Sequence, residues 1–179
     1  MSNTSDRNNG LLILFTGNGK GKTTSALGQA FRAIGHGFKV CMIQFIKGNW
    51  KYGELDTAKQ FAGLMDVHVM GRGFTWASED MDKDIAAARE GWDLAKQIIS
   101  EGKHRLVILD ELTYLITYKM IDEQDVLDTL KARPGNMHVV VTGRGASEKL
   151  IQAADLVTEM VDVKHPYENG VKAQKGIEF

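Results

Sequence analysis

Residues suited to holding a phosphate chain stand together at Thr16-Gly-Asn-Gly-Lys-Gly-Lys-Thr-Thr24, directly after an apolar run and at the head of a helical pattern. Glycines there let the backbone turn so that successive N–H groups point inward at phosphate oxygens, and a helix N-terminus adds partial positive charge. Asn18, Gly19, Lys20, Gly21 and Thr24 complete the loop around Lys22 and Thr23. Lys22 is placed to meet phosphate as a point charge, and the Thr23 hydroxyl to ligate Mg²⁺. The usual pattern has four residues between its first glycine and the Gly-Lys pair. Here Gly17 to Gly21 leaves three, with Thr16 in the first-glycine position.

A second group is Leu106-Val-Ile-Leu-Asp110-Glu111, an apolar strand pattern that ends in an acidic pair. Carboxylates in that position hold Mg²⁺ or its waters in nucleotide enzymes. Together the two groups predict an ATP site with Mg²⁺ on Thr23 and Glu111, and Asp110 close behind. The same residues suit an ATPase or kinase in which Glu111 serves as general base and ADP is the product. A nucleotide-binding or carrier module without turnover is a third reading. Arg144, in the turn Thr142-Gly-Arg-Gly145, either meets an anionic substrate group or is a surface turn arginine.

The elements that must position these residues follow from periodicity. Apolar runs at 11–15, 39–45, 65–70, 106–110 and 137–142 read as strands, and 156–163, where charges alternate with apolar residues, reads as an edge strand. Between them lie helical patterns, with Leu27, Phe31 and Ile34 on one face of the first. Leu55, Ala58 and Ala62 mark the second, and Ile85, Ala88, Trp92, Ala95 and Ile99 a long third. Shorter ones are expected at 111–118, 123–132 and 147–154. Strands alternating with helices predict an α/β fold with a mostly parallel six-stranded sheet, covered by helices on both faces.

Composition excludes several classes. The 179 residues, 43% hydrophobic and 25% charged, are those of a single globular domain. Lys+Arg 22 against Asp+Glu 23 gives a net charge of −1, which removes the electrostatic footprint of a general nucleic-acid or anionic-membrane binder. No apolar run approaches the roughly 18 residues of a membrane span. The polar residues 1–10 hold no secretion signal and are expected to be flexible, with the domain running over 11–179. One cysteine, Cys41, suits a reducing interior, so a cytoplasmic protein is expected.

The glycine-lysine loop, its short spacing included, resembles that of the CobA/BtuR/CobO family of ATP:corrinoid adenosyltransferases. So do Gln44-Phe-Ile-Lys-Gly48 with Trp50 and Gly53-Glu54, Gly73-Phe-Thr-Trp76, Leu109-Asp-Glu-Leu-Thr-Tyr114, Ala132-Arg-Pro-Gly135 and Thr142-Gly-Arg-Gly145. The tail, Val163-Lys-His165 and Gly170-Val-Lys-Ala-Gln-Lys-Gly-Ile177, completes the series in family order. The resemblance implies a P-loop, RecA-like fold, usually a homodimer. It implies transfer of the 5′-deoxyadenosyl group of ATP to the Co(I) of a reduced cobalamin or cobinamide-type corrinoid, releasing triphosphate, with a flavodoxin-like electron donor. It also assigns Phe74 and Trp76 a place beneath the corrin ring, where they displace the lower axial ligand and ease reduction. From composition alone the two aromatics read as a clamp closing their loop on the core. Family members often carry a longer N-terminal extension, which helps cover the active site.

Other residues in the chain offer signals that compete with this reading. Asp66-Val-His68-Val-Met-Gly71 has the spacing of a cobalt-ligating histidine motif, yet His68 alternates with Val67 and Val69 as a strand-face residue would. A strong axial donor would also oppose reduction to Co(I). His36, His104, His138 and His165 lack metal-ligand spacing, and His165 alone, in the matched tail, is a candidate for lining the site. Cys41 reads as a buried hydrophobe. Lys47 and Trp50 are contacts to either the corrinoid or the nucleotide.

Overall fold

Strands that are apolar at every position have no side to leave in water and need cover on both faces. In the computed structural model, which describes residues 9–48, 52–71, 73 and 81–178, those runs form the middle of a sheet. In chain order the elements are β1 (Leu12–Thr16), α1 (Lys22–Gly35), β2 (Val40–Gln44), α2 (Gly53–Gln60), β3 (Met65–Val69), α3 (Met81–Glu101), β4 (Leu106–Asp110), α4 (Leu112–Thr117), α5 (Glu123–Lys131), β5 (His138–Thr142), α6 (Glu148–Ala153) and β6 (Leu156–Glu159). The strands pair in the order β3-β2-β4-β5-β1-β6. Every pairing is parallel, so the expected α/β architecture holds and the sheet is parallel throughout.

Because successive side chains alternate across a strand, the sheet divides its apolar residues between two cores. Leu14, Ile43, Leu109 and Val141 face Trp92, Ala95 and Ile99 of α3, with Leu112, Val126 and Leu150 from the later helices. Ile13, Met42, Ile108 and Val140 face Ala26, Ala30 and Ile34 of α1 and Ala58 of α2. Cys41 is fully buried, and burial pushes its thiol up to about 12.

The phase of α1 differs from expectation. Ala26, Ala30 and Ile34 are buried with Lys22, while Phe31 is 70% exposed. Lys22 must point back into the loop that precedes it, and residues at four-residue steps from it then face the sheet. Alanine at 26 and 30 lets the helix lie close, so the loop sets the rotation of the helix and Phe31 turns outward.

The chain ahead of β1 and the chain past β6 are both tied down by hydrogen bonds. Gly10, expected within the flexible segment, donates to the Gly135 carbonyl at 2.8 Å and accepts from Arg133 Nη2 at 3.1 Å. Residues 1–8 of that segment lie outside the described residues. At the other end β6 is an edge strand as expected but stops at Glu159. Met160 then donates to the Thr16 carbonyl at 2.8 Å and accepts from the Gly19 amide at 2.7 Å, so the chain past β6 runs beside the phosphate loop. Parallel pairing brings Thr16, Gln44, Asp110 and Thr142 to one edge of the sheet as the last residues of β1, β2, β4 and β5.

Two substitutions separate core from rim. Leu14→Ala, at a fully buried position, is expected to cost about 2–5 kcal/mol of stability in urea unfolding. Phe31→Ala is expected to change stability by less than about 0.5 kcal/mol, and a loss comparable to that at Leu14 would contradict the helix phase described here.

Candidate active site

The loop between β1 and α1 is shaped from within and from outside. Gly21, at φ 117°, starts α1 at Lys22. The Lys22 side chain then folds back, and its ammonium donates to the carbonyls of Gly17 and Gly19 at 2.8 Å each. Burial lowers the pKa of this ammonium, while the Glu111 and Asp110 charges act in the opposite sense. From outside, the segment after β6 packs so closely that a Cβ on Gly19 would lie 2.6 Å from the Val161 carbonyl oxygen. The Gly19 amide, expected to face a phosphate, donates instead to Met160.

The acidic pair reaches this loop across an intervening strand, since β5 lies between β4 and β1. Thr142, the last residue of β5, bridges the gap. Its hydroxyl donates to Asp110 Oδ1 at 2.8 Å and accepts from the Glu111 amide at 2.9 Å. Thr23 donates to the same Asp110 oxygen at 2.8 Å. Glu111 sits at φ 63°, an uncommon left-handed conformation for a side chain of this kind. The neighbouring Gly143 is required by space as well as by its φ of 140°, because a Cβ there would meet Thr113 Oγ1 at 2.0 Å.

Asp110 Oδ2 and Glu111 Oε2 are buried and have no hydrogen-bond partner. Burial pushes the Glu111 carboxyl up to about 7, with the Asp110 charge adding to the rise and Lys22, Arg144 and Lys47 opposing it. Asp110 is raised as well, chiefly by burial. Two adjacent carboxylates with unfilled acceptors beside a threonine hydroxyl are a hard-oxygen donor set, and they fit a divalent cation such as Mg²⁺. Among the described residues no cluster of three or more His, Cys, Asp or Glu side chains forms a metal cage. An ion here would take its remaining ligands from phosphate and water.

A cleft of about 820 Å³ opens over these groups, within the size range of small-molecule sites. Asn18, Gly19, Lys20, Gly21, Lys22, Thr23 and Thr24 form its floor, and Lys47, Glu54, Glu111, Tyr114 and Arg144 line its walls. His165 and the tail residues Gly176, Ile177 and Glu178 close one side. Gly17 contributes its carbonyl to Lys22 without lining the cleft, and Asp110 lies behind Thr23 with no exposed surface. Lys20 lies 3.4 Å from Glu178. Arg144 is exposed at the cleft wall, its carbonyl accepting from Thr113 Oγ1 at 2.7 Å.

His68 lies on the edge strand β3 and does not line the cleft, and Asp66 of the same motif bonds His104 at 2.9 Å. The assignments of Phe74, Trp76 and Trp50 fall outside the described residues. Sequence reasoning gave no role to Thr142, Gln44, Glu54 or Tyr114. Gln44 did carry a signal, being the polar last residue of an otherwise apolar strand, and Thr142 follows three consecutive valines.

Comparison with known proteins gives concordant results. A family model described as ATP:corrinoid adenosyltransferase BtuR/CobO/CobP matches residues 8–179. The corrinoid adenosyltransferase of Pseudomonas aeruginosa is 48% identical over 170 residues, covering 95% of this chain and 84% of that protein. The corrinoid adenosyltransferase CobA of Salmonella typhimurium is 43% identical over 170 residues, with 95% and 86% covered. Among solved structures, the flagellar accessory protein FlaH of Methanocaldococcus jannaschii shares the fold, with a TM-score of 0.61 at 11% identity over 84% of this chain and 71% of that one.

The raised Glu111 carboxyl has a measurable consequence. Its ordinary value is 4.5 and its value in the fold is about 7, so between those limits the folded chain holds a proton that the unfolded chain has released. Stability of the ligand-free protein should therefore fall as pH rises from about 4.5 to about 7, by on the order of 3 kcal/mol from this group. Urea unfolding at a series of pH values should show that decline, and Glu111→Gln should flatten it. An identical slope in the variant would refute the assignment.

Proposed function

The chain belongs to the ATP:corrinoid adenosyltransferase family, and from that premise we propose how its cleft performs the reaction. The enzyme transfers the 5′-deoxyadenosyl group of ATP to the Co(I) of a reduced corrinoid. The C5′–O5′ bond breaks, the cobalt supplies the electron pair of the new Co–C5′ bond, and triphosphate leaves with the pair from the broken bond. Phosphoryl transfer to water, which the loop and acidic pair also suit, is not favoured by this kinship.

The observation that carries the assignment of roles is the convergence on one cleft of a buried lysine, a helix N-terminus and Glu111, with the second unpartnered carboxylate, Asp110, directly behind Thr23. Co(I) is a strong nucleophile, so the protein's task on the ATP side is to stabilise charge as the triphosphate departs. Lys22 exchanges its two neutral carbonyl partners for phosphate oxygens, and Arg144 and Lys20 meet the same chain from the rim. Thr23 and Glu111 would hold Mg²⁺, with Asp110 orienting Thr23 from behind and its open oxygen close to the ion or one water away. When bound, the metal neutralises triphosphate charge. Glu111 must lose its proton for this, so binding should release protons near neutral pH.

On the corrinoid side, Phe74 and Trp76 pack beneath the ring of a cobalamin or cobinamide-type substrate, displacing its lower ligand and excluding water. The resemblance supports this role, a flavodoxin-like reductant and a homodimer. Exposure of Leu156 and Val157 on the edge strand β6 is consistent with a covering partner copy. A cytoplasmic location accords with the single buried cysteine, and among the described residues no helix is long and apolar enough to cross a membrane.

The test is anaerobic incubation with MgATP and chemically reduced cobalamin, followed by phosphorus NMR and the corrin spectrum. Triphosphate should appear in step with a light-sensitive adenosylcobalamin spectrum, and Lys22→Ala should lower kcat by roughly 10²–10³. ADP and phosphate with an unchanged corrin would overturn the proposal.

A further inference from the structure

On the β2 side of the cleft, three polar side chains form a connected set with no part in the mechanism above. Gln44 is wholly buried and stands in register beside Asp110 of β4. Its Nε2 donates to Glu54 Oε1 at 3.3 Å, and Lys47 Nζ donates to the same oxygen at 2.5 Å. The Lys47 ammonium also lies 4.3 Å from the centre of the Tyr52 ring. Lys47 and Glu54 both line the cleft, with side chains 19% and 14% exposed. Burial would raise the Glu54 carboxyl, but the bond and charge of Lys47, a backbone amide and the Gln44 bond together hold the group below its ordinary value.

The direction in which Lys47 points is the informative feature. Its positive charge acts on both Asp110 and Glu111. A flexible lysine in the field of two buried carboxylates has every electrostatic reason to close on them. Yet Asp110 Oδ2 and Glu111 Oε2 are without partners, while Lys47 is taken by Glu54. Gln44 supports that arrangement from beneath, bonding the same Glu54 oxygen and leaving its own amide oxygen buried and unpaired. So buried an amide is hard to explain by packing alone, since an apolar residue there would leave no orphan.

We infer that Glu54 is a positioning residue: braced by Gln44, it holds Lys47 against the β2 wall and off the Asp110–Glu111 pair, so that the pair stays open for a divalent cation. The inference rests on reading that pair as a cation seat. In Glu54→Gln the countercharge is gone, Lys47 swings to the acidic pair and competes with the metal. Removing the lysine as well removes the competitor.

The test uses Mn²⁺ titrated into the ligand-free protein, with bound metal read from the loss of the free-ion EPR signal. Glu54→Gln should weaken Mn²⁺ binding about tenfold, and the double variant Glu54→Gln/Lys47→Met should bind within about twofold of Lys47→Met alone. A structural defect from Glu54→Gln would persist in the double variant, and that persistence would overturn the inference. Unchanged binding in Glu54→Gln would overturn it too, leaving the cation seat intact. Asp110→Asn separates the two ideas: wild-type Mn²⁺ affinity in that variant would mean the acidic pair is not the seat, and both would fall.

Discussion

Asp110 Oδ1 accepts two hydroxyl hydrogen bonds, one from Thr23 on the phosphate loop and one from Thr142 on the strand between. Through that single oxygen β4, β5 and the start of α1 are fixed relative to one another. The cost is considerable, because a carboxylate with no exposed surface is expensive unless its lone pairs are filled. Two neutral donors offset part of it and leave the other oxygen empty. A protein selected for stability alone would have put an apolar residue at the end of this strand. The arrangement makes sense as a site held in a poor state for the free protein and a good one for the liganded protein.

The cations around the cleft follow the same logic. Lys22 rests on two neutral carbonyls, Lys47 on Glu54, Lys20 near Glu178, and Arg144 in solvent. None of them forms an ion pair with Asp110 or Glu111, although Lys22, Arg144 and Lys47 all act on Glu111. Lys22 rests on neutral carbonyls alone, the partners most readily exchanged for phosphate. Carbonyls are weak competitors for an ammonium when a polyanionic triphosphate is the alternative, so Lys22 would need little reorganisation beyond leaving Gly17 and Gly19. Charge separation of this kind is a form of preorganisation, in which the donors are in place before the substrate binds.

What could be read from the sequence was what lies close together along it. The loop at 16–24 and the acidic pair at 110–111 are each contiguous, and the unbroken apolar strands announced a two-faced parallel sheet. The bridging role of Thr142 depends on strand order, which places β5 between two strands distant in sequence. Nothing local to Thr142 encodes that. Glu54 is similar: its partner in the fold is Gln44 at the end of β2, on a different element. Periodicity weights Phe31 by its size, whereas Lys22 fixes the rotation of α1, which is why the observed phase departs from the expected one. Alternation persists over 156–163 and suggests one strand, but pairing with β1 ends where β1 itself turns into the loop.

That last point bears on the loop's short spacing. A loop with one residue fewer before its Gly-Lys pair must turn more tightly, and here it does so against a wall. Past β6 the chain lies so close that Gly17 and Gly19 would each clash with backbone if they bore a Cβ. The Gly19 amide is committed to that wall through Met160. Rigidity is thereby gained at the loss of one phosphate donor. For an enzyme that attacks phosphorus, every loop donor near the transferred group matters. For one that attacks C5′, the triphosphate is a leaving group whose charge must be stabilised as a whole, and a firmly braced cradle serves that end with one amide fewer.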